Sequence, residues 1–173
     1  MYYLRKIIRG KWPAEGTIAQ ATLRDIPADT VLAELQTDKN KLSVWKIEND
    51  QDLLDAFVAL GSNSVSIGTI DAVKIDADCI SDLKLDNEKG DTPTIGINEK
   101  HRNITELNYS TLGDVINSII LGIRSDGGYV RKTKGEMKRL LVEAYRTNRL
   151  IMDQLAPNMK NSILMEADRL NGN

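Results

Sequence analysis

The stretch Leu42–Glu48, LSVWKIE, limits this chain more than any other. It alternates, yet both of its faces carry apolar side chains: Leu42 and Val44 on one, Trp45 and Ile47 on the other. A strand apolar on both faces belongs in the middle of a sheet rather than at its rim. Asn49-Asp50 follows at once and suits a helix N-cap. Leu53, Leu54, Phe57, Val58 and Leu60 then recur at helical spacing. Asp52 and Asp55 lie near the start, where the helix dipole favours negative charge. Gly61 is a fitting stop. Residues 42–61 therefore read as strand, turn and helix.

The remaining elements read outward from this unit. Residues 2–9, YYLRKIIR, are rich in aromatic and β-branched residues and predict a strand ended by Gly10 and Pro13. Pro27 precedes a short helical stripe of Val31, Leu32 and Leu35. Residues 70–76, IDAVKID, alternate as a strand. With 42–61 they would form a β–α–β crossover, whose connection has the length a parallel pair needs, and an antiparallel arrangement stays open. Residues 77–100 are polar and rich in turn formers, with 94–97 a candidate edge strand.

After that the chain turns helical. Leu112, Val115, Ile116, Ile119, Ile120 and Ile123 follow a Ser110-Thr111 cap candidate. Thr133 and Glu136 fit a capping box ahead of Met137, Leu140, Leu141, Ala144 and Tyr145. A last helix opens at Pro157. The expected fold class is α+β. A small N-terminal sheet with packed helices, residues 1–106, is followed by a helical subdomain, 107–173. At 173 residues the two read as one cooperative unit.

Composition narrows the chemistry. The chain has one histidine, His101, and one cysteine, Cys79. An internal disulfide, a Cys/His zinc module and a His-centred metal site are thereby excluded within one chain. No secretory signal is read at the N-terminus, whose apolar residues are interrupted by Arg5, Lys6, Arg9 and Lys11. No apolar run reaches the roughly 18 residues of a membrane span. The expectation is a cytoplasmic protein. No nucleophile elbow and no phosphate-binding glycine loop are present. His101, in Glu-Lys-His-Arg-Asn, reads as a solvated loop residue. Cys79 has few cations near it in sequence and reads as an unreactive thiol. No catalytic residue, cofactor or metal is assigned.

The charges are uneven although they nearly cancel, with 23 Lys plus Arg against 25 Asp plus Glu. Across 124–149, eight cations oppose three acids, a net of +5. Across 71–91, seven acids oppose three lysines, a net of −4. The candidate partner-binding residues are Arg131, Lys132, Lys134, Lys138, Arg139, Arg146 and Arg149. Trp12, in the loop-like Lys-Trp-Pro, joins them as an exposed aromatic anchor. Asp76, Asp78, Asp82 and Asp86 form the candidate acidic face. Separated charge steers and orients partners.

The segment Lys41-Leu-Ser-Val-Trp-Lys-Ile-Glu-Asn-Asp-Gln-Asp-Leu-Leu-Asp-Ala-Phe-Val-Ala-Leu60 resembles small accessory proteins encoded beside larger ATPase or nuclease components in bacterial anti-phage defence operons. The resemblance covers these twenty residues and carries no site residues. It implies a non-enzymatic accessory or adaptor subunit that binds a larger protein subunit of a bacterial complex. Two alternatives stay open. One is a nucleic-acid-binding module on the basic helix 131–149, paired with the next helix as in a helix-turn-helix. The other is a metal-dependent enzyme using the carboxylates between Asp71 and Asp86.

Overall fold

The computed structural model describes residues 1–37 and 39–171. Along the chain the elements are β1 (Tyr2–Ile7), α1 (Glu15–Ile18), α2 (Ala28–Glu34), β2 (Leu42–Ile47), α3 (Asp50–Ser62), β3 (Ile70–Asp76), β4 (Lys84–Asp86), β5 (His101–Thr105), α4 (Tyr109–Arg124), β6 (Tyr129–Lys132), α5 (Lys134–Arg146) and α6 (Pro157–Asn171), with short 3-10 turns between some of them. The fold class is α+β, with a six-stranded sheet in the order β4-β5-β2-β1-β3-β6.

β1 pairs antiparallel with β2 on one side and with β3 on the other. β2 and β3 therefore run parallel to each other with β1 inserted between them. The crossover expected over 42–76 exists, and α3 lies on its connection, but its two strands are not neighbours. β5 adds antiparallel to β2, pairing Leu42 with Ile104 and Trp45 with His101. His101 thus opens a strand instead of lying in a loop. Its ring and that of Trp45 meet in a T-shaped arrangement, 5.3 Å between centroids. Both faces of β2 are buried, as its two-sided apolar pattern requires.

The chain forms two units that interleave in sequence. The first comprises Met1–Glu48, Asp71–Glu88 and His101–Val130; the second comprises Asn49–Ile70, Lys89–Lys100 and the chain from Arg131 onward. This partition differs from a division at residue 106. The difference comes from α4, whose Val115, Ile116, Ile119 and Ile120 pack into one cluster with Tyr3, Ile7, Leu42, Val44, Val73, Ile75 and Ile104 from the sheet. The α4 stripe is strongly apolar and finds its partner surface in the β-strands. Its cap is Asn108, two residues before the expected Ser110, with the Asn108 Oδ1 accepting from the Ser110 and Thr111 N–H groups.

The first unit also holds a desolvated charge. Arg5 donates to the backbone oxygens of Ser43, at 2.8 Å, and of Glu34, at 2.7 Å. Burial pushes its guanidinium down to about 10, against the countering charge of Glu34. The Glu34 carboxylate in turn accepts the Ile8 N–H at 2.9 Å.

In the second unit α5 packs against both α3 and α6. Phe57, Met137, Leu141, Met159 and Ile163 are fully buried. The segment 89–100 is a strap folded on Asn98, whose side chain bonds Thr92 through both its oxygen and its nitrogen. The expected edge strand at 94–97 is only a single bridge, Thr94 to Leu150. Those Asn98 bonds hold the segment as a turn, leaving little of it extended.

Two glycines separate packing from propensity. A Cβ on Gly122 would collide with the Lys74 carbonyl oxygen and lie 2.5 Å from Val73 Cγ2; one on Gly135 would meet nothing within 4 Å. Gly122→Ala is expected to lower stability by about 1–3 kcal/mol, since β3 backbone cannot yield. Gly135→Ala is expected to raise it by about 0.5 kcal/mol through a less flexible unfolded chain. Urea unfolding of both variants tests the contrast, and equal effects would refute the close approach of α4 to β3.

Candidate functional site

The candidate basic residues from Arg131 to Arg149 lie in the second unit, and much of their charge is spent there. Thr133 and Glu136 cap α5 reciprocally, as the capping box predicts. Lys138 Nζ lies 2.6 Å from Glu166 Oε2 on α6, and Arg169 Nη2 lies 2.5 Å from Glu166 Oε1. Glu166 is 8% exposed, and hydrogen bonds from Arg169 and Lys138 hold its carboxyl down at about 2. Arg149 pairs with Asp55 on α3, and Lys132 with Glu136 at 3.8 Å. Arg146 reaches the Ala167 carbonyl at 3.4 Å. Arg131, Lys134 and Arg139 are exposed. The α5–α6 connection runs over 147–156 with its own 3-10 turn. That is longer than the three or four residues, roughly, of a helix-turn-helix.

The acidic residues separate by role. Asp71 accepts the Tyr129 hydroxyl at 2.5 Å, and Asp76 caps the turn that follows β3 by accepting the Asp78 N–H. Asp78 and Asp82 are exposed. Asp86 belongs to another set, at the β4–β5 rim. Lys41 Nζ lies 3.1 Å from Asp86 and 2.5 Å from Glu88. Buried Asn103 donates to both carboxylates, at 3.2 and 3.1 Å. Burial pushes the Asp86 carboxyl up, but hydrogen bonds from Lys41, the Glu88 N–H and Asn103 outweigh it and hold the group below its ordinary range. Among the described residues no three His, Cys, Asp or Glu side chains are placed to hold a metal ion.

Trp12 is not an exposed anchor. It is 4% exposed and belongs to the core cluster of the first unit, because the 3-10 turn Arg9–Lys11 folds the chain back after β1. Among the described residues its indole N–H has no hydrogen-bond partner.

The second unit has a groove between α3 and α5, of about 320 Å³. Its walls are two helical ridges of the same spacing. Gln51, Leu54, Asp55 and Val58 line it from α3; Leu140, Glu143, Ala144 and Thr147 line it from the α5 side. Each set runs i, i+3, i+4, i+7, the spacing of one helix face. The floor is aliphatic, with Ala144 keeping it low. Asp55 is fixed by Gln51, which donates at 2.6 Å, and by Arg149. Glu143 is exposed and makes no ion pair among the described residues.

Of the candidate binding residues read from sequence, only Arg149 borders this groove. Leu54, Val58, Leu140 and Ala144 read as members of two helical apolar stripes. The overlooked signal is the breadth of the α3 stripe. Leu53, Leu54, Phe57, Val58 and Leu60, with Ala56 and Ala59, make the helix apolar over more than one face. Phe57 is buried, while Leu54 and Leu140 stay half-buried.

Comparison with protein-family models, curated proteins and solved structures finds no match to this chain. Among the described residues no helix is long and apolar enough to cross a membrane.

The Glu166 pairs predict an acid dependence. A carboxyl held at about 2 when folded, against 4.5 ordinarily, gives stability that is full above pH 4.5 and lost as pH falls toward 2. Glu166→Gln is expected to unfold at lower urea than the parent at pH 7 and to lose less of its midpoint between pH 4.5 and 2. Parallel midpoint curves for the two proteins would show that the pairs contribute nothing.

Proposed function

We propose that this chain is a non-enzymatic accessory or adaptor subunit of a larger bacterial complex, acting in the cytoplasm by seating part of a protein partner in the α3/α5 groove. The groove carries the reading. It is apolar at its floor, charged at its rim, and built on two helices whose far sides are packed, so its walls are held in place before a partner arrives. Polar rims around apolar centres are the usual anatomy of protein interfaces. The resemblance of residues 41–60 to accessory proteins of anti-phage defence operons supports the same role, because that segment supplies α3, one wall of the groove. The partner on this reading is the larger ATPase or nuclease component.

Nucleic-acid binding by α5 has less support. Its outer face sets Glu143 between Arg139 and Arg146, and that mixture weakens attraction for phosphates.

The test is co-expression with the products of the neighbouring genes, followed by size-exclusion chromatography. A complex of fixed stoichiometry is expected. Leu140→Glu should weaken it by about tenfold or more, as loss of an apolar anchor does, and Arg139→Glu should weaken it far less. Circular dichroism and thermal melting check that each variant stays folded. Absence of any complex, or a complex indifferent to both Leu54→Arg and Leu140→Glu in folded protein, would overturn the reading.

A further inference from the structure

We infer that the partner element seated in the α3/α5 groove is an amphipathic α-helix with apolar side chains at i and i+4 and a lysine or arginine on the flank beside Glu143. This rests on the adaptor reading and names the chemistry of its partner.

Three observations carry it. First, both walls are helices, whose backbone N–H and C=O groups are bonded within their own turns. They offer no sheet edge to an incoming strand, so the guest must satisfy its own backbone, which a helix does. Second, each wall spans i to i+7, about 10 Å at 1.5 Å per residue. That length receives two side chains one helical turn apart. Leu54 and Val58 stand on one side, Leu140 on the other, and Ala144 gives the depth. The volume, about 320 Å³, is at the low end for an enclosed small-molecule site and suits side chains of a larger guest. Third, the rim charge is unequal. Asp55 is already matched by Arg149, whereas Glu143 has no ion pair among the described residues. Arg139 and Arg146 flank Glu143 along α5, but Glu143 forms no ion pair with either, so a guest cation can pair with its carboxylate where a guest carboxylate cannot.

The experiment uses the full chain and a displayed library of helix-constrained peptides. Positions i and i+4 and both flanks are randomised, and binding is read by fluorescence polarisation. Enrichment of Leu, Ile, Met or Phe at i and i+4, with Lys or Arg on one flank, is expected. Selected peptides should bind Leu140→Glu about tenfold or more weakly. With Glu143→Lys, an exposed change that leaves the packed faces alone, the flank preference should invert to Asp or Glu. No enrichment overturns the inference. So does a flank preference that Glu143→Lys leaves unchanged, or a groove filled by a second copy, seen as concentration-dependent dimers that Leu140→Glu abolishes. A neighbour complex lost with Leu140→Glu but showing no charge inversion leaves the adaptor reading standing and removes the helix chemistry. Charge inversion with a neighbour complex indifferent to groove variants does the reverse.

Discussion

The strand Tyr2–Ile7 is paired along both of its edges, with β2 and, in register over all six of its residues, with β3. Its side chains divide accordingly. Tyr3 and Ile7 enter the cluster with α4, while Leu4, on the opposite face, is wholly buried. With the centre so placed, the sheet ends in its two shortest strands, β4 and β6. Both carry charge: Lys84 and Asp86 on one, Arg131 and Lys132 on the other. Short charged rims discourage further strands from adding.

Charge in this protein does local work more than global work. The net +5 between 124 and 149 is a fact of sequence, but Lys138, Arg149 and Lys132 find their counter-ions within the second unit. Glu166, nearly excluded from water, is tolerable because two cations meet it. Arg5 is tolerable because two carbonyl oxygens and the field of Glu34 offset its desolvation. The acids at 86 and 88 are likewise tied to Lys41 and Asn103. A charge count along the chain locates these groups without revealing that they are already matched.

Much of the architecture was legible. The two-faced pattern of LSVWKIE, the Asn49 cap and the Thr133/Glu136 box each lie where their local chemistry points, because each depends on residues only a few positions apart. What sequence patterning does not carry is which surface an apolar stripe meets. The α4 stripe reads as part of a helical half and packs on the sheet; Trp12 reads as loop and is core. The groove was hidden for the same reason. Leu54 and Leu140 are apolar residues in apolar stripes, and only the geometry of two helices side by side leaves them half-covered.

The interleaving of the two units bears on how the chain is made. It passes between them at 48/49, 70/71, 88/89, 100/101 and 130/131. During synthesis, β1 emerges first but waits for β2 and β3, and the first unit lacks α4 until residue 124 has left the ribosome. The second unit waits longer still, for α5 and α6. A single cut at any of the first four points leaves neither unit whole, so stop codons and protease nicks there yield fragments with exposed strand edges instead of half-proteins. Such fragments are prone to aggregation. The helix α3 is finished about seventy residues before α5, the helix it packs on, begins, so its apolar stripe is bare on the nascent chain over that interval.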